Sequence, residues 1–166
     1  MELNDTIEVV EFLLGDSRYA IDIQLVREVF EMVPMTVIPH TPQHIAGVIN
    51  IRGEITYLVN IATLLRIAEA GEPDRKYIIV LTGDATAGTN IGIMVDSVTS
   101  VTRVDESRVE YKVSGMSGEG EQYIRGIISQ ADPDRSAGAT RLVLWLDARK
   151  MLSEINRKEY HRAGQK

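Results

Sequence analysis

The chain has 166 residues, with 24 acidic against 18 basic side chains for a formal net charge of −6, and no cysteine. This length supports one ordinary domain, or two small packed subdomains, with a real core. The missing cysteines exclude disulfides, thiolate nucleophiles and cysteine zinc sites, and the acidic balance makes nucleic acid and anionic membrane poor partners.

In chain order, Ile7 to Leu14 reads as a strand closed by Gly15-Asp16, and Arg18 to Ile23 as its hairpin partner, with Tyr19, Ile21 and Ile23 on one face. From Gln24 to Glu31 the period changes. Leu25, Val26, Val29 and Phe30 fall at helical spacing, which predicts a short helix packed on the strands. Pro34, Pro39 and Pro42 then rigidify an extended stretch. Ala46 to Ile51 and Glu54 to Ile61 form the clearest hairpin, turning at Arg52-Gly53, and a brief helix follows over 62–68. Gly71-Glu72-Pro73-Asp74 is a polar break that suits a subdomain boundary near 68–76.

Strands resume at Tyr77 to Thr82, Asn90 to Asp96 and, after a bend, Val98 to Val104. Ser114 to Glu121 is a glycine-rich loop. Gly126 to Gln130 and Arg141 to Leu146 read as strands around a second loop, and Asp147 is placed to cap a last helix carrying Met151, Leu152 and Ile155. Residues after Arg157 are polar and read as frayed. Nine or ten short strands with few helices argue an all-β barrel or a pair of barrels.

No catalytic constellation is visible. His40 and His44 are four apart, but Pro39 and Pro42 work against a helix through both, so they read as exposed loop histidines. No serine stands in a nucleophile elbow; Ser117 sits in a glycine-rich stretch that follows no strand directly and also fits no phosphate-binding loop. Asp105 and Glu106 lie in a polar turn. Barrels this small are filled by side chains, which argues against an interior ligand. Met1 to Asp5 has no basic or apolar leader and the apolar runs are short, so the expectation is a cytoplasmic protein that is not an enzyme.

One stretch is more specific than its secondary structure. It runs Val26-Arg27-Glu28-Val29, Ile38-Pro39, Pro42, then Gly47-Val48-Ile49-Asn50-Ile51-Arg52-Gly53-Glu54-Ile55. Phe12, Leu14-Gly15 and Tyr19 to Ile23 precede it, and Gly92 to Val98, Tyr123 to Ile127 and Leu144 to Leu152 follow. This pattern resembles the CheW family and the related C-terminal domain of the chemotaxis kinase CheA, over about residues 7 to 155. The chain departs from the family at Tyr57, where proline is usual, at Asn60-Ile61, where aspartate-leucine is usual, and in 108–122, which lacks the prolines often seen there.

The resemblance implies a single CheW-like domain over 1–166. Its fold would be all-β: two small five-stranded barrels packed side by side, with short helices and a C-terminal helix, the segment 141–157 packing back on the first barrel. It implies an adaptor without cofactor or metal that links a CheA-type histidine kinase to the cytoplasmic tips of methyl-accepting receptors, within arrays at the inner face of the membrane. A paralogous adaptor of another receptor–kinase pathway, for motility or gene regulation, is the alternative.

The residues it assigns to docking are Val26, Glu28, Val29, Gly47, Ile49, Asn50, Arg52, Gly53, Val95, Asp96 and Val98. Glu28 on the short helix and Arg52 at the turn are placed for a charge-assisted hydrogen bond. Gly53 supplies the positive φ of the turn. Gly47 allows a close approach either by its own chain or by a partner helix. The valines and Ile49 divide between core and an apolar groove between the barrels. Trp145, flanked by Leu144 and Leu146, reads as core.

Overall fold

The computed structural model describes residues 5–67, 75–83, 88–111, 121–136 and 138–163, the side chains of 121 and 156–163 excepted. The expected break at 71–74, most of the loop at 114–121 with Ser117, and the side chain of His161 therefore lie outside the described residues. Among those described, eleven strands and two α-helices follow one another. They are β1 (Thr6–Leu14), β2 (Ser17–Asp22), β3 (Val26–Glu31), β4 (Ile45–Ile51), β5 (Glu54–Val59), α1 (Ile61–Leu64), β6 (Tyr77–Leu81) and β7 (Ile91–Val95). Then come β8 (Ser97–Asp105), β9 (Val109–Glu110), β10 (Ile124–Ala131), β11 (Thr140–Leu146) and α2 (Ala148–Ala163).

The strands form two sheets, a six-stranded one in the order β8-β1-β2-β11-β10-β9 and a five-stranded one in the order β3-β6-β7-β5-β4. Each contains one parallel pair, β2 with β11 and β5 with β7, and is otherwise antiparallel. Sheet membership changes after Asp22 and after Val95. The C-terminal strand joins the N-terminal hairpin: Val143, Leu144 and Trp145 pair with Arg18, Tyr19 and Ala20.

Strand alternation feeds three cores. Val10, Phe12 and Leu14 of β1 point into a large cluster between the sheets, which takes in Ile79, Leu81, Ile93 and Val95 from the second sheet and Met151, Leu152 and Ile155 from α2. Val9 points the opposite way, into the interior of the first sheet with Val104, Ile128, Val143 and Trp145. Ile49, Leu58, Ile78 and Val80 fill the second sheet. Asp147 caps α2 as its position predicts, its Oδ1 accepting from the Lys150 N–H at 3.1 Å. The helix runs on to Ala163, past the point where the sequence reads as frayed.

Two local expectations are corrected. Gln24 to Glu31 is no helix: a single 3-10 turn, Ile23–Leu25, leads into β3, whose burial alternates residue by residue. Its backbone pairs with β6 from Val26 opposite Leu81 to Glu31 opposite Tyr77. A lone helix of this length cannot sustain itself, whereas β6 offers a ladder, and Val26 and Val29 suit a strand. The helix expected over 62–68 is the four-residue α1. Asn60, where the family usually has aspartate, caps it by accepting from the Ala62 N–H at 3.2 Å.

Candidate functional site

The β4–β5 turn carries the most distinctive backbone. Ile51 pairs with Glu54, so Arg52 and Gly53 make a two-residue turn, and both have positive φ, 52° and 83°. A turn of this kind matches the twist of its strands and favours asparagine or glycine. Gly53 meets that demand, and Asn50 Oδ1 braces it by accepting from the Gly53 N–H at 2.8 Å. Arginine in the left-handed region costs about 1–2 kcal/mol, so Arg52 occupies a place that another residue would fill more cheaply.

The Arg52 side chain is two-thirds exposed and held from one side by β3. It donates to Glu28 Oε1 at 2.8 Å, and its guanidinium lies 5.4 Å from the centre of the Phe30 ring. Glu28 and Phe30 share a face of β3 because they are two apart on a strand. Arg27, on the opposite face, reaches Glu54 Oε2 at 3.7 Å. Val29, 42% exposed, and Ile55, 61% exposed, are the exposed large apolar side chains of β3 and β5.

The expected docking residues separate into five groups. Glu28, Val29, Asn50, Arg52 and Gly53 gather around the turn at the surface or near it. Val26 and Val98, one on each sheet, are half-buried at the border of the central cluster. Ile49 and Val95 are core, in different clusters. Gly47 is buried against its own chain: a Cβ there would stand 2.5 Å from the Thr36 carbonyl oxygen and 2.6 Å from Met35 Cγ. Asp96 lies at the crossing between the sheets, bonded to residues of both.

Sequence reasoning missed Phe30 and Ile55. Reading 26–31 as a strand would have put Phe30 beside Glu28, and the β4–β5 register sets Ile55 opposite Asn50. It also missed a groove of about 400 Å³ on the first sheet, lined by Asp22, Gln24, Arg125 and Trp145 among others. Trp145 is buried as expected. Its indole N–H donates to Asp22 Oδ1 at 2.7 Å, and Arg125 stacks 4.4 Å above the ring. Close by, Tyr111 donates to Glu106 Oε1 at 2.6 Å; that bond, then burial, raises the phenol above its ordinary pKa. His40 is exposed with φ 64°, as read; His44 lies in a turn as read but is buried rather than exposed, the chain around it being tied to the start of α1 by the Asn60 N–H donating to the His44 carbonyl at 2.8 Å.

Among the described residues no three His, Cys, Asp or Glu side chains are gathered as a metal ion would require. None of the helices there is long and apolar enough to cross a membrane.

With this geometry in view, the sequence matches the model of the CheW-like domain over residues 8–156. The chain belongs to the CheW-like domain family. It is 28% identical to the chemotaxis protein CheW of Treponema pallidum over 155 residues, covering 92% of this chain and 86% of that protein. Against the chemotaxis protein CheW of Thermotoga maritima the identity is also 28%, over 92% of this chain and 91% of the relative. The crystal structure of the scaffolding protein TtCheW from Thermoanaerobacter tengcongensis superposes with a TM-score of 0.68 at 26% identity, covering 86% and 89% of the two chains. The CheW family is one of chemotaxis scaffolds and not of enzymes.

Proposed function

We propose that this chain is a chemotaxis adaptor that couples the cytoplasmic tips of methyl-accepting receptors to a CheA-type histidine kinase, acting in the cytoplasm beside receptor clusters. The observation that carries the reading is Arg52: a strained, exposed residue at a turn, held outward by Glu28 and Phe30. A strained residue that persists where asparagine or glycine would sit more easily is a functional candidate. Around it, Val29, Asn50, Gly53 and Ile55 offer mixed apolar and polar contact area for an amphipathic receptor helix. Val26 and Val98 extend that area toward the sheet junction. The mechanism is scaffolding: holding kinase and receptor together raises their effective concentration and fixes their orientation.

Kinase autophosphorylation with receptor tips, measured with and without this protein, tests the reading. The wild type is expected to make kinase activity depend on receptor, and folded Arg52→Ala to lose that effect. A wild type that binds neither partner removes the chemotaxis assignment and favours another receptor–kinase pathway.

A further inference from the structure

Among the described residues the chain passes between the sheets twice, through the 3-10 turn after Asp22 and through Asp96. An aspartate stands at each crossing, but the two are wired differently. Among the described residues Asp22 stays within its own sheet, accepting from Trp145 of β11 and forming an ion pair at 3.6 Å with Arg125 of β10. Asp96 bonds to both sheets. Its Oδ2 accepts from the Gly15 N–H at 2.6 Å, in the β1–β2 turn of the first sheet. Its Oδ1 accepts from the guanidinium of Arg75, which leads into β6 of the second sheet. The backbone repeats the pattern: the Asp96 N–H donates to the Leu13 carbonyl at 3.0 Å, and the Lys76 N–H to the Val95 carbonyl at 3.1 Å.

We propose that Asp96 and Arg75 form a clip that fixes the angle between the two sheets, so that Asp96 is a positioning residue and not a docking one. The apolar cluster between the sheets holds them together, but apolar contact is non-directional and leaves the sheets free to slide. A charge-assisted bond between planar groups is directional. The Arg75 side chain is 4% exposed, so the pair works where water screens it little. Gly15, whose φ of 60° suits the β1–β2 turn, presents its N–H to Asp96 Oδ2. If the adaptor reading holds, the same clip sets the orientation in which two partners are presented.

The absence of cysteine allows a direct test. Spin labels on Ile55→Cys in the second sheet and Val101→Cys in the first, both exposed positions, report the inter-sheet distance by pulsed electron paramagnetic resonance. The parent protein is expected to give one narrow distance population. Asp96→Asn and Arg75→Gln are expected to broaden or split it, while Glu28→Ala, which removes a pair inside one sheet, leaves it narrow. Distributions for Asp96→Asn and Arg75→Gln that superimpose on the parent overturn the proposal. So does loss of the whole fold in both, since the pair would then be a general stability element. The distance measurement needs no partner, so it stands or falls apart from the adaptor reading. A second readout connects the two: Asp96→Asn is expected to retain binding to receptor tip and kinase separately, yet lose receptor-dependent activation.

Discussion

The guanidinium of Arg52 donates to the carboxylate of Glu28 at 2.8 Å, and the bond joins the two edges of one sheet. Glu28 is on β3 and Arg52 follows β4, the outermost strands of the five-stranded sheet. The Thr36–Val48 backbone pair, at 2.8 and 2.9 Å, closes the same gap further along. These two contacts span the edges of the sheet, and the proposed docking arginine makes one of them.

This position separates stability from docking. Replacing Arg52 by asparagine relieves left-handed strain of about 1–2 kcal/mol and gives up an exposed ion pair worth about 0–1 kcal/mol and a cation–π contact worth about 0.5–1 kcal/mol. Urea denaturation of Arg52→Asn is expected to show a midpoint equal to or above that of the wild type, while receptor-dependent kinase activation is lost. A clear fall in midpoint would mean that the pair holds the fold.

Gly47 is expected to tolerate no side chain for reasons internal to the chain. A Cβ would press on the Thr36 carbonyl oxygen, a backbone atom that cannot swing aside. Gly47→Ala is expected to lose about 1–3 kcal/mol by overpacking, read from denaturant midpoints. Hydrogen exchange should quicken at Thr36 and Val48, whose mutual bonds the push would break.

Glu11 is buried inside the first sheet, 1% exposed, where its Oε2 accepts from Ser100 Oγ, Thr102 Oγ1 and Gln130 Nε2. Glu11→Ala strands those donors and is expected to cost about 3 kcal/mol. Glu11→Gln keeps a carbonyl acceptor and should cost clearly less. Equal losses in thermal melts would show that the network does not depend on the acceptor.

Tyr123 carries a pH signature. Burial, and then the charge of Glu154, raise its phenol above the ordinary value of 10.0. The folded state thus holds this proton more tightly than the unfolded state. The associated stability is complete below pH 10.0 and is lost as pH rises from there through the folded pKa. Denaturant midpoints are expected to fall above that pH, and Tyr123→Phe to make the fall shallower. An unchanged slope would locate the alkaline sensitivity elsewhere.

What the sequence disclosed was mostly local. The Gly15-Asp16 and Arg52-Gly53 turns and the Asp147 cap each depend on a few adjacent residues, and all three form as read. Helical spacing over Leu25 to Phe30 misled because six residues fit two periods, and the deciding partner, β6, lies some fifty residues away. The division into sheets was hidden for the same reason, since Gly15 meets Asp96 across 81 positions. The docking list was legible as a pattern but not as a surface. Val95 and Ile49 belong to it because the core needs them, Gly47 because Thr36 crowds it, and Arg52 with Glu28 because they project.

The nesting of one sheet within the other also has a kinetic consequence. Strands β3 to β7 are contiguous in sequence, so their sheet can close as soon as Val95 has left the ribosome. The β1–β2 hairpin is made first but must wait for β8 and β11 before its flanks are covered, a closure of high contact order. The earliest strands to be synthesised are thus among the last to be finished, and the inner sheet is complete before the outer one has a partner for its first hairpin.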